Sequence, residues 1–172
     1  MQRQKARDQE KSWNTSPDPD LHIDFMTVAD LKEVMAIEKA SFRSPWPQSY
    51  FVQEIESNPI SIATVLRFQQ TGNARAGQVI GFCVAWVIDR LFHINNLAVD
   101  PAFRQRGYGK ILMESMMELA KQNRCDRVYL EVRVSNEPAI QLYRSLGFRP
   151  MERLARYYDD TLEDAFVYGR QL

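Results

Sequence analysis

Hydrophobic and polar positions alternate along this chain with two different periods, and the period changes where turn residues cluster. Apolar residues stand three or four apart in Leu31, Val34 and Ile37, with Glu38 in the same helical phase, and again in Ile111, Leu112, Met116 and Leu119. That spacing puts them on one face of a helix. Runs rich in β-branched and aromatic residues, Ile60 to Phe68, Val79 to Ile88, 92–99 and 128–134, predict strands. In the last of these, Val128, Leu130, Val132 and Val134 share one face of the strand, and Tyr129, Glu131 and Arg133 take the other.

Boundary signals complete the order. Ile23 and Phe25 suit a short first strand, and Thr27 with Asp30 three positions on caps the first helix. Pro45-Trp46-Pro47 ends that unit and Gln48 to Glu56 makes a second helix. Thr71-Gly72-Asn73 through Gly77 joins two strands as an antiparallel hairpin with a long loop. A helix over 108–122 precedes the 128–134 strand. Another helix, about 138 to 146, has Asn136 as N-cap, Pro138 in its first turn and Gly147 as its C-cap residue. Strands near 149–157 and 164–171 close the chain. Periodicity alone gives an α/β or α+β chain, with the order β, α, α, β, β, β, α, β, α, β, β. Residues 1–20, charged and carrying Pro17-Asp18 and Pro19-Asp20, read as a disordered or loosely attached tail, and 21–172 as a single domain.

Composition narrows the function classes. Twenty-two basic and 22 acidic side chains cancel, so no long-range field for nucleic acid is expected. Cys83 and Cys125 are too far apart in sequence for a zinc knuckle and too few for a disulfide scaffold, so no metal is expected. No apolar run is long enough to span a bilayer and the N-terminus is polar, so a cytoplasmic setting without membrane attachment is expected.

Against this neutral background, one loop is basic. Arg104-Gln105-Arg106-Gly107-Tyr108-Gly109-Lys110 lies between the 92–99 strand and the 108–122 helix. Backbone N–H groups at a helix start lack intrahelical partners and sit in the positive end of the helix dipole. Gly107 and Gly109 let the backbone approach an oxyanion, with Arg104, Arg106 and Lys110 adding charge. The dinucleotide pattern G-x-G-x-x-G fails at Leu112, and the nucleotide-triphosphate loop G-x-x-x-x-G-K-[ST] fails at Arg104 and Ile111. What remains is Arg104-x-x-Gly107-x-Gly109.

That pattern resembles the acyl-coenzyme A pyrophosphate signature of the GNAT N-acetyltransferases. Ala139-Ile140-Gln141-Leu142-Tyr143-Arg144-Ser145-Leu146-Gly147-Phe148 is similar to a second signature of the family, A-x-x-L-Y-x-x-x-G-F. The run Leu130-Glu131-Val132-Arg133-Val134-Ser135-Asn136 and Leu97-Ala98-Val99 resemble the bacterial RimI-type enzymes, which acetylate the N-terminal alanine of a ribosomal protein. The likeness covers about residues 22 to 172.

The resemblance implies a mixed, mostly antiparallel sheet splayed between its fourth and fifth strands and flanked by about four helices. It implies acetyl-coenzyme A as donor, held by Leu97, Ala98, Val99, the 104–110 loop (Arg104, Gln105, Arg106, Gly107, Tyr108, Gly109, Lys110) and Asn136. Glu131 falls on the family's general base, acting through a water, and Tyr143 on its general acid, pointing at the cofactor sulfur. Phe42 and Trp46 on one loop, and Tyr157 and Tyr158 on another, fall where a peptide is held. By their residue types alone these positions read more plainly: Glu131 as a solvent-facing carboxylate paired with Arg133, Tyr143 and Trp46 as packing aromatics, and His93 as a structural strand histidine ranked below Glu131 as a base. As neighbours in a strand, Tyr157 and Tyr158 cannot both face one side, so at least one is expected to be exposed and available.

The amine can be narrowed by its chemistry. An α-amine of pKa near ~8 is roughly 10–20% free base at neutral pH, whereas a lysine near ~10.4 is about 0.04%. A carboxylate acting through water suits the first. The acceptor this chemistry favours is a protein N-terminus, and the resemblance implies a ribosomal protein beginning in a small residue such as alanine as partner. Alternatives are acetylation of a small amine (polyamine, amino acid, antibiotic), acetylation of lysine side chains, or a non-catalytic acyl-coenzyme A binding module.

Overall fold

The computed structural model describes residues 20–69 and 77–172. The tail and the turn at Thr71-Gly72-Asn73 lie outside them. The described strands are β1 (Leu21–Phe25), β2 (Ser61–Phe68), β3 (Gln78–Ile88), β4 (Leu91–Val99), β5 (Arg127–Arg133), β6 (Arg149–Tyr158) and β7 (Glu163–Gln171). The helices are α1 (Leu31–Ser41), α2 (Gln48–Glu56), α3 (Tyr108–Gln122) and α4 (Glu137–Ser145). They follow one another in the expected order. One detail differs: the helix expected to start at Thr27 opens with a 3-10 turn over Val28–Asp30. The Asp30 carboxylate accepts from the Thr27 backbone N–H and hydroxyl, and also binds Arg67, so the cap doubles as an ion pair to β2.

The strands form one sheet in the order β1-β2-β3-β4-β5-β7-β6. Every pair is antiparallel except β4 with β5. A parallel pair needs a long crossover, and α3 supplies it. The amphipathic stripes decide which face each helix covers. Leu112, Met113, Met116 and Leu119 of α3 and Ile140 and Tyr143 of α4 pack with Phe92, Ile94, Val128, Leu130 and Val132 on one face. Leu31, Val34 and Ile37 of α1 and Phe51 of α2 pack with Val65, Phe82 and Val84 on the other. Tyr129, Glu131 and Arg133 are left on this second side, as the alternation predicts.

The β3–β4 ladder carries one irregularity that matters. Ile94 pairs with Ala85 and Asn96 with Val84, so Asn95 has no partner of its own. This β-bulge flips every later side chain by one position. Phe92 and Ile94 face α3, but Asn96 and Ala98 face α1 and α2. The α4 helix ends as its sequence predicts: Asn136 accepts from the Ala139 N–H at 3.3 Å, and Gly147 adopts φ 80° while Phe148 N–H reaches back to the Tyr143 carbonyl. Among the described residues no helix is long and apolar enough to cross a membrane.

Candidate active site

The parallel ladder between β4 and β5 runs from Leu91 with Arg127 to Ile94 with Leu130 and stops there. Beyond it β4 stays on β3 as far as Val99, while β5 stays on β7 as far as Arg133. A gap therefore opens between two strands that are each still held from the outside. The Asp100 N–H bonds the Ile80 carbonyl of β3. By alternation Ala98 also points its N–H at β3, and the N–H groups of Leu97 and Val99 face the gap. Ala98 thus differs from its two neighbours in the expected cofactor set: its backbone is engaged and its side chain is buried under α1 and α2.

Glu131 stands at the mouth of this gap. Its Oε2 lies 2.7 Å from His93 Nε2, which is the partner it takes in place of the expected Arg133. The imidazole stacks on Tyr129, with ring centres 4.2 Å apart and planes 5° from parallel, and meets the edge of Trp86. Trp86 is itself fixed, donating its indole N–H to Glu54 of α2 at 2.8 Å. His93 and Glu131 are both about 85% buried. The histidine read from sequence as structural is therefore a direct partner of the candidate base.

The two tyrosines of β6 lie near the Glu131 carboxylate. At least one of them was expected to be exposed, and Tyr157 is, at 46%. Leu154 pairs with Ala165 and Tyr158 with Glu163, so 155–157 bulge away from β7, with Arg156 at φ 51°. The break in alternation brings the two rings together edge to face at 5.1 Å. Burial, with the nearby Glu131 carboxylate and Tyr129 phenol, raises the Tyr157 phenol above its ordinary value. Burial pushes Tyr158 up to about 12, with Arg133 opposing and Tyr157 and Glu131 adding to the rise. Both phenols remain protonated donors at neutral pH.

Tyr143 approaches from the opposite face. It is 8% exposed, in the core between the sheet and α4, against Phe148 and Tyr168. Burial raises its phenol well beyond the ordinary range, with Cys83 and Tyr158 contributing. A group threaded through the gap thus has a carboxylate–imidazole pair on one side of the sheet and a neutral phenol on the other.

At the far end of β4 the loop is shaped for an anion. Gln105 (φ 61°) and Gly107 (φ 85°) are left-handed, and the backbone N–H groups of 105–109 have no partner among the described residues. A Cβ at Gly107 would meet nothing within 4 Å, so the space in front of it is open. Gly109 differs: its missing Cβ faces the Leu142 methyl at 3.3 Å, so its smallness serves the packing of α3 against α4. Arg104 braces the loop, donating to the Val99 carbonyl and the Ser41 hydroxyl. Arg106 lies over the Phe103 ring, which also neighbours Tyr108, and Lys110 is 3.8 Å from Glu114.

The loop between α1 and α2 forms a wall on the face of the sheet that these helices cover. Phe42 is 37% exposed, and Trp46 leans on Phe51 and Tyr50. Sequence reading gave Glu38 only a place in the helical phase. In the structure it is buried, accepts the Trp46 backbone N–H at 2.7 Å and the Asn96 amide at 3.1 Å, and so ties this wall to β4. A glutamate within an apolar helical stripe was the one available signal, since such positions rarely hold an unpaired charge.

Comparison with known proteins bears on this arrangement. The acetyltransferase (GNAT) family model matches residues 31–148. The chain belongs to the GNAT acetyltransferase family. Enzymes of this family take their acetyl group from acetyl-coenzyme A. A putative ribosomal protein bS18-alanine N-acetyltransferase of Bacillus subtilis is 35% identical over 142 residues, 83% of this chain and 89% of that protein. The ribosomal protein bS18-alanine N-acetyltransferase of Escherichia coli is 31% identical, over 84% of this chain and 93% of its own. The crystal structure of the E. coli ribosomal-protein-S18-alanine N-acetyltransferase superposes with a TM-score of 0.75 at 27% identity, covering 88% and 93% of the two chains. The splayed mixed sheet expected from the sequence is the GNAT fold of these relatives.

Proposed function

We propose that this GNAT enzyme acetylates the α-amine of a protein N-terminus, and that its acceptor is a ribosomal protein with a small first residue, as in the relatives named for bS18 alanine. The observation that carries the mechanism is the gap beyond Ile94 and Leu130, with Glu131 on one face and Tyr143 on the other. The pyrophosphate of acetyl-coenzyme A is held by the open N–H groups of 105–109 with Arg104, Arg106 and Lys110, and Asn136 lies at the α4 start beside it. The thioester enters the gap, where the N–H groups of Leu97 and Val99 face the carbonyl oxygen as negative charge grows on it. The α-amine loses its proton to Glu131, directly or through a water, and His93 holds the carboxylate in place. The neutral amine attacks the carbonyl carbon, the tetrahedral intermediate collapses, and the C–S bond breaks. Tyr143 gives the departing sulfur a hydrogen bond and then its proton, which the product amine's second proton replaces.

Phe42, Trp46, Tyr157 and Tyr158 line the entrance, and two phenol donors suit the carbonyls of an extended backbone. Asp160 and Glu163 are engaged by Arg133, so neither is left to bind a polyamine. Incubating a peptide that begins with Ala and the same peptide blocked at its α-amine with acetyl-coenzyme A tests the reading: only the first should gain 42 mass units, roughly one acetyl group.

A further inference from the structure

We propose that Arg133 is a positioning residue that fits this site to a peptide acceptor, by pinning the β6–β7 turn that carries Tyr157 and Tyr158 near Glu131; the inference rests on the N-terminal acceptor reading above. Arg133 follows Glu131 by two residues on the same face of β5, yet it does not touch that carboxylate. Its guanidinium grips both oxygens of Asp160 at 2.7 Å, the Thr161 hydroxyl at 2.8 Å and Glu163 at 3.2 Å. It also lies 3.9 Å from the centre of the Tyr158 ring. All of these partners belong to the end of β6, the turn after it or the start of β7.

The turn needs such a hold because the ladder beneath it is broken. Residues 155–157 have no register partner on β7. What replaces those rungs is the Arg156 N–H on Asp164, the Ser135 N–H on Glu163, and the Arg133 fork. The Arg133 Nη2 reaches both Asp160 oxygens while Nη1 serves Thr161 and Glu163, and the flat face of the guanidinium lies on the Tyr158 ring at the same time. An ammonium offers neither the fork nor the plane. One side chain on the strand that carries Glu131 therefore sets where both tyrosines stand relative to it.

Such a residue acts on the acceptor and not on the donor or the chemical step. Steady-state kinetics with an Ala-starting peptide should show Arg133→Lys raising the peptide KM about tenfold with kcat within about twofold and the affinity for acetyl-coenzyme A unchanged. Asp160→Asn, which keeps the fold of β5 and removes the charged half of the fork, should move KM in the same direction. Adding Arg133→Lys to Tyr157→Ala should give little further loss, since both act through one contact. A peptide KM unchanged in both Arg133→Lys and Asp160→Asn, or a loss confined to kcat, overturns the inference while the acceptor reading stands. A wild-type enzyme that leaves the α-amine unlabelled overturns that reading and this one with it.

Discussion

His93 and Glu131, 38 positions apart in sequence, meet at 2.7 Å across the last paired rungs of the only parallel strands described. A carboxylate held this way keeps one oxygen on the imidazole and the other free for an incoming amine or its water. Replacing Glu131 with Gln should lower kcat by about 10²-fold, the scale of a lost general base. His93→Phe should cost about tenfold, and the double variant should be no worse than Glu131→Gln alone, because the two act as a unit. Near-normal activity in Glu131→Gln with a large loss in His93→Phe transfers the base to His93.

Tyr143 should behave differently. Tyr143→Phe removes a hydroxyl from a packed site while keeping the ring, so the protein should stay folded and bind acetyl-coenzyme A, with kcat lower by about 10²-fold. The sign of its pH effect follows from its raised phenol. The native state keeps the proton that the unfolded chain releases near the ordinary value, so the contribution of Tyr143 to stability is whole below about 10 and is lost as pH rises beyond it. Alkaline unfolding of Tyr143→Phe, monitored by denaturant titration, should therefore show a shallower fall above that pH than the wild type.

The two loop glycines separate backbone geometry from packing. At φ 85° a β-branched residue is strained by about 1–2 kcal/mol. Gly107→Val should therefore distort the N–H groups that face the open space and abolish most of the thermal stabilisation by acetyl-coenzyme A. Gly109→Ala, pressed against Leu142 at 3.3 Å, should lower the melting temperature of the free protein and leave most of the ligand-induced shift. The reverse pattern contradicts the assignment of the pyrophosphate site.

These contrasts also show what the chain discloses about itself. The side of β5 that Glu131 occupies was legible, because Val128, Leu130 and Val132 alternate with it and alternation needs no partner to be read. The flip after Asn95 was not, because a one-residue bulge is decided by the register of β3 and leaves no local mark. The same holds for Tyr157 and Tyr158, whose rings meet edge to face at the break opposite Asp164. His93 and Glu38 were underrated for a third reason: their partners Glu131 and Asn96 lie 38 and 58 positions away, and a lone polar residue in a strand or helix looks the same with or without them.

Glu38 yields a prediction in the opposite pH range. Burial raises its carboxyl above the ordinary value of 4.5, against the Trp46 N–H and the Asn96 amide, which lower it. The native state holds a proton that the unfolded chain has already lost, so its contribution to stability is whole below 4.5 and is lost as pH rises through the raised value. Glu38→Gln keeps an acceptor for Trp46, and its amide can donate to the Asn96 carbonyl oxygen, which is buried without a partner. Urea titrations from acid to neutral pH should show the wild type losing stability relative to Glu38→Gln as pH rises. Parallel curves would contradict this account of the buried carboxyl.

The central claim is the identity of the acceptor nitrogen, and one measurement addresses it most directly. A peptide with a free N-terminal alanine and an internal lysine is incubated with the enzyme and acetyl-coenzyme A, and the acetyl group is mapped by fragmentation. The free-base fractions of the two amines differ by several hundred-fold at neutral pH, an upper limit on the chemical preference because a deprotonated lysine is the stronger nucleophile. The proposed groove of Phe42, Trp46, Tyr157 and Tyr158 is expected to supply the rest. The account predicts label on the α-amine alone, falling about 10²-fold in rate with Glu131→Gln. Predominant label on the lysine, or label that persists when the α-amine is blocked, would contradict it.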